Sequence, residues 1–256
     1  MDLVLAFLPG FILTFVRMVT MVSTMMVFGT TWESRWARLV LALGLSFVVF
    51  MRAPHNPVGD LGVLAFGVVT AREVVLGAVM GFSIQTIFLT LRVAGSVLGQ
   101  DMGFSMSRIM DPTTGISAPV MGRFFETIAF LFLLSINGHH RIFEILARTY
   151  DFIPVGSPFD LTAMSEGLIV LTGDGLRMAF SLAFPIWGIL MIVNGTLLVM
   201  SRIVPQVNLM EFSFALRILI SITLLSIFMT SSAPYIFSIF DMVFDHTMSM
   251  LQSMAL

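Results

Sequence analysis

The sequence has no cysteine and no lysine, and only 11% of its 256 residues are charged. Without cysteine there is no disulfide framework, cysteine-type zinc site or thiol nucleophile. Without lysine there is no glycine-rich phosphate loop that ends in lysine. The net charge of −2 gives no basic surface of the kind that binds nucleic acid. In soluble domains roughly a quarter of all residues are charged, so this chain has too few charges to cover the surface of an ordinary soluble domain.

Hydrophobic residues make up 57% of the chain and are concentrated in long runs. A span of about 30 Å of hydrocarbon needs about 20 such residues. No alternation typical of membrane barrels is visible, so we predict an all-α membrane-type protein with about six hydrophobic helical segments. We expect the first run to be retained structure and not a signal peptide. The candidate segments are 3–28, 37–51, a part of 61–98, a part of 119–136, 176–200 and a part of 212–240.

The third run is too long for one simple span, and "TARE" at 70–73 suggests a division. Thr70 and Glu73 have the spacing of a capping box, in which each side chain binds a free amide at a helix start. We therefore predict a helix that begins near Ala71, with 61–69 as a separate short apolar piece.

Charged residues interrupt the apolar runs, and every one of the 13 basic residues is arginine. Charges in lipid are costly and usually face protein or a water-filled cavity. Arg123 and Glu126 are three residues apart on one helical face and are able to pair. Each position alone is explained by snorkelling or a local pair, but five together favour helices that face partner protein. The five are Arg17, Arg92, Arg123, Glu126 and Arg217.

The C-terminal end has a different pattern. "SSAP" at 231–234 interrupts the sixth run, and its proline predicts a kink or a helix end. Apolar residues beyond it recur at three- and four-residue spacing, which predicts an amphipathic helix that packs on a partner or lies at an interface. The apolar face is Phe237, Phe240, Phe244, Met248 and Leu251, and the polar face is Asp241, Asp245, Ser249 and Gln252.

Signatures of catalysis are weak. The stretch "NGHHRIFE" at 137–144 has adjacent histidines but not the His-Glu-x-x-His pattern of zinc proteases. His139 and His140, with the preceding Asn-Gly, instead predict a turn at a helix start. No Gly-x-Ser-Gly pattern of an intramembrane serine protease occurs. We therefore predict no enzyme, no cofactor and no metal site.

One long segment between two apolar runs has little periodicity: "GQDMGFSMSRIMDPTTG", residues 99–115. Its glycines give backbone freedom, and its methionines are deformable apolar filler. Asp111-Pro112 biases residue 111 away from helix. By themselves these residues favour an ordinary interhelical loop over a plug.

The same segment begins an ordered series of motifs. It is followed by an apolar helix, "NGHHRIFEIL", "IPVG" at 153–156 and "RIVPQVN" at 202–208. In this order and spacing, over nearly the whole chain, the sequence resembles the FliR/SctT family. These are flagellar biosynthetic proteins of the type III export gate, related to the T-component of virulence secretion systems.

The resemblance implies a core subunit of a gate in the bacterial inner membrane, at the flagellar basal body. Such subunits close a helical ring with FliP-type and FliQ-type proteins, and the ring passes unfolded axial proteins outward. Partners of the FlhB and FlhA types are implied as well. The fold would comprise hairpins with broken helices, with 1–165 as a FliP-like portion. Residues 166–256 would form a FliQ-like hairpin plus the C-terminal amphipathic helix, and much of the assembly would lie above the bilayer plane.

The resemblance also assigns roles to individual residues. It favours the plug over the loop for 103–121, and it directs the turn at 201–211 toward the cytoplasmic entrance. The plug or gate residues would be Gly103, Phe104, Met106, Ile109, Met110, Asp111 and Pro112. The partner contacts would be Arg123, Glu126, Arg202, Pro205, Asn208 and Glu211.

Two other functions remain open from the residues alone. A small-solute transporter also has broken helices and buried charges, but it predicts an inverted repeat and a midplane site, and neither is visible. A purely structural scaffold for assembly is the second alternative. Purification in mild detergent separates these classes, because a gate subunit brings stoichiometric membrane partners whereas a transporter purifies alone or as a homo-oligomer.

Overall fold

The computed structural model describes residues 2–25, 32–52, 62–103, 120–203 and 209–255. Within these ranges the chain is all-helical, which confirms the predicted fold class. The seven helices are α1 (Asp2–Thr24), α2 (Trp32–Arg52), α3 (Val63–Asp101), α4 (Val120–Ser135), α5 (Gly138–Phe152), α6 (Leu161–Ile203) and α7 (Leu209–Met254).

The helix α3 is one continuous element, so the predicted start near Ala71 is wrong. It contains 39 residues and is about 58 Å long. Thr70 does not cap a helix start, because its hydroxyl donates to the carbonyl of Phe66 one turn earlier, at 2.8 Å. The side chain of Glu73 also turns away from the local backbone, toward partners on other parts of the chain. A tertiary contact therefore accounts for the glutamate that the spacing assigned to a cap.

The last two helices are longer than their apolar runs predicted. They contain 43 and 46 residues, and α7 continues through Pro234, so the predicted break at 231–234 does not end the helix. The predicted amphipathic pattern beyond it is confirmed. Phe240, Phe244 and Leu251 are buried, and the four polar residues predicted for the opposite face, Asp241, Asp245, Ser249 and Gln252, are exposed.

The helices α6 and α7 run antiparallel. Two hydrogen bonds at different distances from the turn that follows Ile203 indicate this. The amide of Asp160 donates to the carbonyl of Met254 at 3.1 Å. The hydroxyl of Tyr235 donates to the carbonyl of Met178 at 3.2 Å. The residue numbers of these pairs add to 414 and 413. Residues whose numbers add to about 413 therefore lie at one level of the hairpin, since both helices rise equally per residue.

The chain divides into two compact units. The first comprises Met1–Thr86, Leu134–Thr172 and Met242–Leu256, and the second comprises Ile87–Leu133 and Gly173–Asp241. Leu13, Met18, Met80 and Leu251 are fully or almost fully buried in the first unit. The second unit has its core around Phe88, Leu91, Phe125 and Ala129.

Three of the helices, α3, α6 and most of α7, are long and apolar enough to cross a membrane. The pair of α4 and α5 is a fourth candidate if it counts as one broken span. In α3, 72% of the most apolar stretch is buried by the rest of the chain, against 28% in α6 and 11% in α7. Because the apolar surface of the hairpin is left open, it is available to lipid or to partner helices.

Candidate functional site

Of the residues predicted to form the plug or gate, only Gly103 lies within the described structure. Gly103 is buried and has a φ of 89°, a left-handed conformation that favours glycine. Beyond it, the predicted residues Phe104, Met106, Ile109, Met110, Asp111 and Pro112 lie outside the described residues. The structure describes the two helix ends that carry the segment, α3 up to Asp101 and α4 from Val120.

These two helix ends are in close contact through glycines of α3. A Cβ atom added to Gly95 would lie 2.5 Å from the carbonyl oxygen of Met121 and 2.8 Å from the ring of Phe125. One added to Gly99 would lie 2.9 Å from the Cβ of Met121. Glycines four residues apart let two helix backbones approach closely. We call this contact the stem, because it holds together the bases of the segment 104–119.

An ion pair joins the same two helices farther from the segment. The guanidinium of Arg92 binds both carboxylate oxygens of Glu126, with Nε 2.9 Å from Oε2. Glu126 therefore binds an arginine of another helix and not Arg123, with which its spacing along α4 would also have allowed a pair. Arg92 reaches both oxygens of the carboxylate at once, and the two parallel hydrogen bonds of this forked arrangement favour it as the partner of Glu126. The side chain of Arg123 is exposed on the surface of α4.

A second Arg–Glu pair is deeply buried in the first unit. Arg17 Nε donates to Oε2 of Glu73, and the two side chains are only 1% and 3% exposed. Arg17 Nη1 also donates to the carbonyl of Ile153 at 2.9 Å. The second carboxylate oxygen of Glu73 accepts from the amide of Gly156 at 2.9 Å. The pair thus joins α1 and α3 to the chain that follows α5.

The ring of Tyr150 completes this cluster. The guanidinium carbon of Arg17 lies 4.3 Å from the ring centroid, a cation–π distance. The tyrosine hydroxyl donates to the carbonyl of Thr14 at 3.2 Å. Buried charges are tolerated when they are paired and hydrogen-bonded. Nε and Nη1 of Arg17 are bonded in this way, whereas its buried Nη2 has no partner among the described residues. We therefore interpret this cluster as the element that fixes α1, α3 and α5 to one another.

The buried pair also has a glycine contact beside it. Gly77 and Gly81 lie one and two turns beyond Glu73, and an added Cβ on either would collide with the backbone of α1. Gly77 faces the carbonyl of Arg17, and Gly81 faces the carbonyl of Met21. Sequence reasoning missed both glycine contacts. Their signal was present as "GAVMG" at 77–81 and "GSVLG" at 95–99, the spacing typical of close helix packing.

The predicted partner contacts near the α6–α7 turn are only partly described. Arg202 is exposed in the last turn of α6, where a cation interacts favourably with the helix dipole. Pro205 and Asn208 lie outside the described residues. Glu211 belongs to the first turn of α7 by its backbone. The structure leaves the roles of these four residues as predictions.

The two histidines begin α5 as predicted. Asn137 has a left-handed φ of 54° directly before the helix, and the amide of His140 donates to its carbonyl at 2.9 Å. The two imidazole rings lie 4.2 Å apart. Among the described residues, no group of three or more His, Asp or Glu is arranged to hold a metal ion.

Known proteins match the chain over most of its length. The family described as "Bacterial export proteins, family 1" matches residues 8–245. The flagellar biosynthetic protein FliR of Escherichia coli K12 is 27% identical over 235 residues, which are 90% of this chain and 87% of that protein. The protein of the same name from Bacillus subtilis 168 is 26% identical over 258 residues, with 98% of both chains covered.

A relative from a pathogen is also similar. The surface presentation of antigens protein SpaR of Shigella flexneri is 26% identical over 166 residues, which are 64% of this chain and 62% of that protein.

Proposed function

Because the chain belongs to the bacterial export proteins, family 1, we propose that it is a core subunit of the flagellar type III export gate. It helps to form and to close the channel through which unfolded axial proteins cross the inner membrane. Its relatives named FliR cover up to 98% of the chain, which supports the flagellar assignment. Family membership identifies a component of a membrane export apparatus and not a known class of enzyme.

The stem is the observation that carries the proposed closing role. A segment that blocks a pore and then yields to a passing chain needs a fixed base, because otherwise the seal moves with its support. Gly95 and Gly99 bring α3 and α4 into backbone contact at that base, and the pair of Arg92 and Glu126 joins the same helices. The proposed plug at 103–121 is thus carried by two helices that are locked together.

The residues proposed for the seal suit a dry constriction. Phe104, Met106, Ile109 and Met110 are apolar, and an apolar constriction excludes water and ions by dewetting. Each buried methionine or phenylalanine contributes roughly 1.5–3 kcal/mol. A passing chain that offers its own apolar surface displaces such contacts one at a time. In the sequence these apolar residues stand between Gly103, whose φ is 89°, and the Asp111-Pro112 step, whose proline disfavours helix at residue 111.

The open apolar face of the hairpin supports assembly with other membrane subunits. Ile192, Leu198, Ile203 and Leu219 are 66–72% exposed although each is a large apolar side chain. We propose that FliP-type and FliQ-type subunits cover this face in a hetero-oligomeric ring. We propose the division into a FliP-like portion, 1–165, and a FliQ-like portion, 166–256, and the start of α6 at Leu161, close to this boundary, supports it.

The turn between the hairpin helices is the proposed contact with FlhB-type and FlhA-type export proteins at the cytoplasmic side. Arg202, Pro205, Asn208 and Glu211 would form it, with Arg123 and Glu126 as contacts elsewhere in the ring. The exposure of Arg202 and Arg123 supports such roles, because both cations are accessible to a partner.

Deletion of residues 106–112 tests the plug. The complex should still assemble, but ion leakage should rise and growth should slow when the complex is overproduced, because the apolar seal is lost. Replacement of the same seven residues by a Gly-Ser linker should leak as well, since it keeps the length but not the seal. Conversion of Met106 and Met110 to leucine is the matched control and should not leak.

Two results would contradict the proposal. A deletion that assembles fully and leaks no more than the wild type would make the segment a simple connector. Loss of assembly without leakage would make it a structural joint.

A further inference from the structure

A groove lies between α2 and α5 in the first unit. Its volume is about 670 Å³, within the range of roughly 300–1,000 Å³ that is typical of sites for small ligands. The helix α5 contributes residues between Phe143 and Phe152 to its lining. Four residues at the spacing of one helical face line it from α2: Leu45, Val48, Val49 and Arg52. The groove contains no residue of the proposed plug, the stem or the proposed partner contacts.

One part of the groove is apolar and opens onto an exposed apolar face of α2. Val48 lines the groove and is itself 63% exposed. Met51 is its neighbour one turn farther along the helix surface and is 71% exposed, and Phe47 beside it is 53% exposed. Three other helices of the chain are long and apolar enough to cross a membrane. In such a chain, an apolar groove that opens onto an apolar face is suited to an acyl chain.

The other part of the groove carries charges of both signs. Arg148 and Glu144 bind each other along α5 at 2.6 Å. Arg52 and Asp151 are exposed, and neither has an ion pair or a side-chain hydrogen bond in the described part of the chain. They line the same groove but do not pair with each other. A cation and an anion that are held apart in one groove leave room between them for a group that carries both charges.

A phospholipid with an ammonium group fits both parts of the groove. Its acyl chains are apolar, and its phosphate matches the forked donors of an arginine. A primary ammonium donates hydrogen bonds to a carboxylate, whereas the quaternary ammonium of a choline headgroup has no N–H to donate. Pockets that select anionic lipids are basic, but the four charged residues here sum to zero: Arg52, Glu144, Arg148 and Asp151.

We propose that the groove between α2 and α5 binds one phospholipid with a primary ammonium headgroup, the chemistry of phosphatidylethanolamine. Arg52 binds the phosphate, Asp151 accepts hydrogen bonds from the ammonium, and an acyl chain lies on Leu45, Val48 and Phe143. The inference goes beyond the proposed function, because it requires only that the groove meets lipid. The bound lipid joins α2 to α5 through its headgroup.

The full-length protein, purified in mild detergent with the subunits that accompany it, provides the test. It is placed in phosphatidylcholine vesicles that contain a trace of phosphatidylethanolamine with a photoreactive acyl chain. The labelled peptides should come from α2 and α5. Unlabelled phosphatidylethanolamine should displace the probe, and an equal amount of phosphatidylglycerol should displace it about fivefold less well, because it lacks the ammonium that binds Asp151.

Variants then test the two ends of the headgroup. Arg52→Gln and Asp151→Asn should each lower labelling of the groove about fivefold, because each removes one charged contact at an exposed site. Arg72→Gln and Glu166→Gln are the matched controls, because both residues are exposed in the same unit but do not line the groove. Neither control should change the labelling.

A third variant tests the apolar part. Val48→Trp should abolish the labelling, because the larger side chain fills the groove, and its own exposure makes the change compatible with the fold. Val40→Trp is the control, because Val40 is 70% exposed on the same helix but does not line the groove.

Four results would overturn the inference. The first is absence of label from α2 and α5 in the wild type, and the second is displacement by phosphatidylglycerol as good as by phosphatidylethanolamine. The third is unchanged labelling in Arg52→Gln, Asp151→Asn and Val48→Trp. The fourth is a photo-crosslinker at Val48 that captures another polypeptide in cells, because the groove would then belong to a protein partner. The first two comparisons use the wild type alone, so they decide the matter even if a variant fails to accumulate.

Discussion

Two contacts of α3 are built from the same parts but differ in their exposure. In the first unit, Glu73 binds Arg17 of α1 next to Gly77 and Gly81. In the second unit, α3 supplies the arginine, and the glutamate comes from α4, next to the glycines of the stem. The side chains are 1% and 3% exposed in the first pair, against 35% and 21% in the second.

The difference in exposure means that the pair of Arg17 and Glu73 is closed to solvent, whereas the pair of Arg92 and Glu126 is accessible from outside the chain. The buried pair is bonded to the backbone of Ile153 and Gly156 after α5 and is covered by Tyr150, so loss of either partner leaves a charge in an apolar interior. The pair of Arg92 and Glu126 is partly exposed, so it is partly hydrated and screened by salt; it therefore stabilises less and remains reachable by another subunit. We infer that the first contact serves the fold and that the second serves the stem and the assembly.

The largest expected effect comes from breaking the buried contact. Glu73→Ala should lower the free energy of unfolding by about 3–5 kcal/mol, because the charge of Arg17 then stays buried without its partner. Thermal unfolding of the purified complex in mild detergent measures this loss. The double variant Arg17→Met, Glu73→Leu should recover most of the stability, since it removes both charges. A single variant that unfolds like the wild type would show that water reaches Arg17.

Substitution of the glycines of α3 should have an intermediate effect on stability. It also distinguishes the contact with α1 at Gly77 from the stem at Gly95. Gly77→Ala and Gly95→Ala should each cost about 1–3 kcal/mol, because the new methyl group collides with a neighbouring helix backbone. Only Gly95→Ala should also raise ion leakage, since it displaces the base of the proposed plug. Gly188→Ala is the control, because an added Cβ there meets nothing within 4 Å. Equal leakage from both variants would remove the special role of the stem.

The smallest expected change in stability comes from the partly exposed pair of Arg92 and Glu126. Glu126→Ala should lower the free energy of unfolding by about 1 kcal/mol or less, as is typical of exposed pairs, but it should reduce recovery of partner subunits. Co-purification at low and high salt measures both the loss and its screening. Glu144→Ala is the control, because Glu144 pairs with Arg148 on α5 with both side chains about half exposed. If Glu126→Ala assembles normally, the pair serves the stem alone.

The features that follow from composition and local pattern were predictable from the sequence. Low charge and long apolar runs predicted the all-helical class, and the ordered motifs predicted the family, both of which are confirmed. The Asn-Gly step before His139 and the amphipathic pattern after Pro234 depend on neighbouring residues only. Both were therefore readable in the sequence.

The sequence was misleading where a side chain binds a residue of another helix although the local spacing also allowed a partner on its own helix. Thr70 and Glu73 fit a capping box, but the glutamate binds Arg17, which is 56 positions away in the chain. Glu126 has Arg123 within one turn, but it binds Arg92 of another helix. A spacing rule identifies which residues are able to pair along a helix. It does not identify the helix that packs beside them, and the two glycine pairs of α3 were the overlooked signal for that packing.

The antiparallel register of α6 and α7 restricts how the length of the hairpin can change. A one-residue insertion in α6 turns all later residues by about 100° around the helix axis, so their apolar contacts with α7 face the wrong way. Insertions and deletions within the helices are therefore expected to span whole helical turns, so that the same side of α6 still faces α7. They are also expected in both helices at matching levels. A change of length between Ile203 and Leu209 leaves every level intact, which makes the turn the position where homologous hairpins are free to differ in length.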